Sequence, residues 1–94
     1  MSKLVFRVHA IQKMFERSIS RENVRHVIDN GEIIREYPDD TPFPSRLMLG
    51  WDSERPLHVV AADNEDEETI IITAYEPDPM IWESDFKKKK EQDS

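Results

Sequence analysis

Three histidines, His9, His26 and His58, are the side chains of this sequence that ordinarily change charge between pH 5 and 8. None belongs to an H-x-H, H-x-x-x-H or H-E-x-x-H pattern, and only scattered carboxylates are available to complete a ligand set. Neither a metal nor any other cofactor is expected. His58 falls in the strand-like run LHVVAA (57–62). On an open sheet face it is a general acid or base near neutral pH; on a closed face it is a satisfied core histidine. His9 lies where a strand passes into a helix, so it is either a cap or gap-filler or a group that moves a proton. His26 falls on the polar side of a helix, where it is solvated.

The arginines supply the complementary chemistry. Arg17 ends a helix, where a cation complements the dipole. Arg46 starts a strand directly after a proline-rich loop, and Arg35 lies in the strand before it. If both share a face with His58, they form a small cationic site for a phosphate. The alternative is that each pairs with one of the many acids. Tyr37, Phe43, Trp51, Tyr75 and Trp82 sit near strand ends or loops, as stacking platforms for bases or as core edges. Two glycines, Gly31 and Gly50, are too few for a glycine-rich phosphate loop. No G-x-S-x-G element is present. The acidic turn 63–68 lacks the glycine and spaced aspartates of a Ca²⁺ loop.

These residues need elements to hold them. Residues 3–8 alternate as a short strand or an extended lead into a helix, and Ile11, Met14 and Phe15 followed by Ile19 predict an amphipathic helix over 9–18. Ser20 is a good N-cap for a second helix, with Ile19 and Val24 as a hydrophobic staple and Val24, Val27 and Ile28 as its buried stripe. Asn30-Gly31 ends it, with Gly31 expected in the left-handed conformation. Strands follow at 32–37, 46–51, 57–62 and 69–75, the last two as a hairpin around the acidic turn. Residues 38–45 hold three prolines and form a loop. Trp82 packs back on the core. The predicted fold is α+β: an N-terminal helix pair packed on one face of a largely antiparallel four- to five-stranded sheet, with the other face partly open. Residues 1–86 make a single domain, and 87–94 a flexible lysine-rich tail.

The chain has 94 residues, 37% of them hydrophobic, enough for one modest core. Its net charge of −7 argues against a general electrostatic grip on nucleic acid or lipid. That charge is uneven. Residues 1–37 carry +2, residues 38–86 carry −11, and residues 87–94 carry +2. A local cationic site in the N-terminal third is therefore allowed, whereas a basic protein is not. Cysteine is absent, which excludes disulfides, thiolate zinc sites and cysteine nucleophiles. No signal-like run opens the sequence and nothing approaches a membrane span, so a cytoplasmic location is expected. An exposed edge strand offers a route to a homodimer.

Several short motifs share an order that is specific. They include His9-Ala10, Met14, Arg17 with Ile19, Asn30-Gly31-Glu32-Ile33-Ile34, Tyr37-Pro38-Asp39-Asp40, Leu49-Gly50, Arg55-Pro56-Leu57-His58-Val59-Val60, and Thr73 through Pro79 with Trp82. In this the chain resembles the bacterial family catalogued as domain of unknown function 4258, over about residues 5–87. Lys13 stands where that family often has arginine, which keeps a cation and loses the planar fork. Members look like distant relatives of RelE-like toxins, which cut messenger RNA on the ribosome with side chains of the open sheet face. They are often thought to be paired with zinc-finger, helix-turn-helix antitoxins.

The resemblance therefore implies an endoribonuclease, the toxin half of a toxin–antitoxin pair, acting without metal through the RNA's own 2′-hydroxyl. Such cleavage needs a base, a phosphate holder and an acid. His58, Arg46, Arg17, Tyr75 and His9 are the candidates. Against this stands a non-catalytic reading on the same fold: an acidic module that binds a basic protein partner.

Overall fold

The computed structural model describes residues 2–91, and its elements follow the order β-α-α-β-β-β-β. Strand β1 (Lys3–Phe6) leads into helices α1 (Val8–Glu16) and α2 (Arg21–Asn30). Strands β2 (Glu32–Tyr37), β3 (Ser45–Asp52), β4 (Arg55–Asp63) and β5 (Glu68–Tyr75) complete one sheet of order β1-β5-β4-β3-β2. The class is α+β as expected, with five strands. Neighbours β2 to β5 are antiparallel, whereas β1 runs parallel to β5. No helix among the described residues is long and apolar enough to cross a membrane.

Helix α2 begins where its cap requires. The Ser20 hydroxyl accepts from the Asn23 amide, and the Asn23 side chain accepts from the Ser20 amide, each at 3.0 Å. Ile19 and Val24 are both buried. Gly31 ends the helix, but not in the left-handed region: its φ is −78° and its ψ −178°. The reason for glycine is space. A Cβ there would lie 2.5 Å from the Val27 carbonyl oxygen and 2.6 Å from that of Leu49. Gly50 fills the same need one strand over, where a Cβ would meet Val27 Cγ2 at 2.7 Å. The two glycines let the end of α2 settle directly onto β3.

Helix α1 buries only part of the expected stripe, Met14 and the following Ile19. Ala10 and Met14 face the sheet, while Ile11 and Phe15 are exposed, Phe15 at 87%. Both arcs of the helix are apolar, and the small Ala10 side allows the closer approach to β5. Val8, Ile11 and Phe15 are left as a stripe on the solvent side. The corner after α1 is held by Arg55 at the start of β4. Its guanidinium donates to the Arg17 and Ser18 carbonyls at 2.7 and 2.8 Å and to Glu76 at 2.6 Å. This one side chain ties the corner after α1 to the end of the sheet.

The helix-side core joins Ala10, Met14, Val24 and Val27 to Met48, Leu57, Val59, Ala61 and Ile71. On the other face, cross-strand register aligns Leu49 with His58 and His58 with Tyr75. That face is not bare. Residues 78–90 turn back across it, held within themselves by bonds such as Trp82 N–H to the Asp78 carbonyl and Lys90 N–H to the Ile81 carbonyl.

Candidate functional site

His58 sits at the centre of the face away from the helices, and it is fully buried. Its Nε2 lies 2.7 Å from the Phe86 carbonyl oxygen and its Nδ1 lies 3.2 Å from the Tyr75 hydroxyl. A carbonyl can only accept, so Nε2 carries the proton. In the neutral ring Nδ1 is then an acceptor, and the Tyr75 hydroxyl donates to it. Tyr75 and Trp82 both meet the imidazole edge to face, with centroids at 5.2 and 4.5 Å. Trp82 itself is buried. The covering segment is pinned further by Phe86 against Trp51, at 5.9 Å, and by an ion pair of 2.8 Å between Lys87 and Glu32 on β2.

Burial pushes the His58 pKa down, because the charged ring loses its solvation; the bond to the Phe86 carbonyl opposes this in part. Burial likewise pushes the Tyr75 hydroxyl up, helped by Tyr37 and opposed by the Arg17 cation. The pH consequence follows from the His58 direction. A histidine whose folded pKa lies below its unfolded value of 6.5 binds fewer protons when folded. Its contribution is therefore complete above that value and is lost as the pH falls through the folded pKa. Urea unfolding between pH 8 and 5 should show stability declining below about pH 6.5, and His58→Gln should remove that part of the decline.

Of the other candidates only Arg17 comes near this pair. Arg46 is opposite Ala61, so it lies on the helix side of the sheet, where it pairs with Asp63 at 3.0 Å. His58 and Arg46 thus occupy opposite faces, and the expected convergence of the two is replaced by the convergence of His58 and Tyr75 alone. Arg17 stands at the C-cap of α1 and donates to the Ala74 carbonyl at 2.9 Å, at the Tyr75 end of β5. His9 is exposed on α1, in the other layer. His26 is also exposed, with Nδ1 3.3 Å from the Asn30 amide.

Arg35 pairs with Leu47, two residues along β3 from Leu49, and so shares the His58 face. Among the described residues no group of three histidine or carboxylate side chains could hold a metal ion. Residues 87–91 of the lysine-rich segment are placed by Lys87 on Glu32 and by Lys89 over the Trp82 ring at 5.8 Å. Residues 92–94 lie outside the described residues.

Residues 6–76 match the sequence profile of a family described as Domain of unknown function (DUF4258). That span is most of the chain. The chain belongs to this family. No curated protein and no solved structure matches it. The DUF4258 span contains His58, Tyr75, Arg17 and both glycines, and it closes one residue after β5. Trp82, Phe86 and Lys87, which cover His58, lie beyond it. Trp82 packs back as expected, and the parts missed in the sequence were the Phe86 and Lys87 contacts of this cover and the Arg55 corner. Phe86 gives no signal in a polar tail, but Arg55, directly ahead of a strand, could have been read as an anchor for the preceding corner.

Proposed function

We propose that this DUF4258 chain is a metal-free endoribonuclease, the toxin half of a toxin–antitoxin pair, whose working face is kept shut by its own residues 78–90. The observation that carries this reading is the cross-strand pair of His58 and Tyr75, hydrogen-bonded on the sheet face that the helices leave free. Burial favours the neutral imidazole at neutral pH, the form a base requires. Displacing Phe86 would free Nε2 while Tyr75 still holds Nδ1. Reversing that bond, so that Nδ1–H donates to the phenol oxygen, leaves Nε2 able to take the proton of a ribose 2′-hydroxyl. Arg35 on the same face and Arg17 beside Tyr75 are the cations available to a phosphate, in place of Arg46. The antitoxin would be a small zinc-finger, helix-turn-helix protein.

The test is transcript integrity and growth on expression in a bacterial host. Phe86→Ala loosens the cover and should cut RNA more than the unaltered chain. Adding His58→Gln, whose amide can still donate toward residue 86, should stop the cutting while circular dichroism stays folded. If neither the natural chain nor Phe86→Ala cuts RNA while folded, the ribonuclease reading is overturned.

The second reading, a non-catalytic module for a basic protein, draws support from different features. Residues 38–86 carry −11 and the α1 stripe of Val8, Ile11 and Phe15 faces solvent. It requires a complex that weakens steeply with salt and is indifferent to His58→Gln.

A further inference from the structure

The helix layer leaves one part of the sheet uncovered. Helix α1 packs on β5 and α2 on β3 and β4, while no helix packs closely on β1. Between α2 and β1 runs a groove of about 640 Å³. Its floor is Leu4 and Phe6, the two β1 side chains turned toward the core. Its wall is the outer face of α2, with Arg21 and Arg25 one turn apart.

Two facts about these arginines point to a ligand. Arg21 lies over the Phe6 ring, 5.5 Å from its centroid, and has no carboxylate within ion-pair distance among the described residues. Arg25 Nη1 is buried and makes no hydrogen bond, its nearest carboxylate being Asp29 at 3.6 Å. That pairing is loose, and the rest of the Arg25 side chain, about 30% exposed, opens on the groove. Guanidinium groups match phosphate oxygens in a fork geometry that ammonium cannot reproduce. The volume is that of a small-molecule site, and the floor is apolar beneath a charged wall.

We propose that this groove binds a phosphate monoester carried on a small apolar or aromatic body, with the phosphate on Arg21 and Arg25 and the body on Leu4 and Phe6. The site is on the helix side of the sheet and does not depend on the ribonuclease reading.

Phenyl phosphate is a suitable probe, with inorganic phosphate and benzyl alcohol as controls, followed through the backbone amides by NMR. Saturable shifts confined to residues 3–6 and 21–30 are expected with phenyl phosphate. Inorganic phosphate should bind roughly tenfold more weakly, and benzyl alcohol should give no saturable shift. Arg21→Gln and Arg25→Gln should each weaken phenyl phosphate roughly tenfold or more, with unchanged melting. Arg25→Lys should weaken it nearly as much, because the fork is lost. Shifts that do not saturate, equal binding of inorganic phosphate, or full affinity in Arg25→Lys would each overturn the proposal.

Discussion

His58→Ala is expected to lower unfolding free energy by about 3 kcal/mol, and to release the C-terminal cover before the rest of the domain unfolds. The size follows from what is lost together. A fully buried ring disappears from between Tyr75 and Trp82. The Phe86 carbonyl loses its 2.7 Å donor, and the Tyr75 hydroxyl its acceptor. The order of events follows from where the contacts lie. The ion pair of Lys87 with Glu32 is exposed at both ends and holds little alone. With the imidazole gone, the remaining grip is Phe86 on Trp51 and whatever Trp82 still buries. In a Trp51→Phe background, Trp82 emission reports the cover directly. It should shift to the red at a urea concentration where far-ultraviolet circular dichroism is still native. A single coincident transition for both signals would show that the cover and the sheet are one cooperative unit, and would remove the basis for a closing segment.

The second large effect is at Gly31. Gly31→Ala should destabilise by about 3 kcal/mol, the upper end of ordinary overpacking, because the added methyl meets two backbone oxygens that cannot turn aside. Gly31→Asn discriminates between two explanations of this residue. If glycine were there for a left-handed helix end, asparagine would be a mild change. Because the backbone is extended and the restriction is spatial, asparagine should be at least as damaging as alanine. Urea unfolding at 25 °C of the three proteins gives the answer. Native-like stability in Gly31→Asn would refute the crowding explanation.

Much of the fold could be read from residue types. Ser20 and Gly31 bracket α2 because capping and close approach both act locally. The strand runs stand out because β-branched residues crowd positions 69–73. The parallel pairing of β1 with β5 was not legible, since residues 3–6 meet residues 68–71 from the far side of both helices and three strands and no local pattern records that. The face of α1 was misread because hydrophobicity alone does not choose between two apolar arcs. Alanine, the weaker hydrophobe, wins by letting the helix approach.

The candidate site was half legible. His58 and Tyr75 fall opposite one another once β4 and β5 form a hairpin. Arg46 was separable in principle. A tight turn at Ser53 and Glu54 pairs Asp52 with Arg55, and that register puts residues 46 and 58 on opposite faces of the sheet. Of the cover over His58 only the return of Trp82 was legible, because a backbone carbonyl, at Phe86, makes its closest contact, and carbonyls leave no mark in a sequence.

The pairing of β1 with β5 also bears on how the molecule comes into being. During synthesis the first strand emerges without its partner, and α1 and α2 follow with no complete sheet to lie on. Nothing anchors β1 until residues 68–71 have left the ribosome, and loop closure over so long a span is slow. A nascent chain halted anywhere before β5 therefore carries its helices as loose, apolar hairpins, open to chaperones and proteases. The five-stranded sheet is thus complete only once β5 is available to β1.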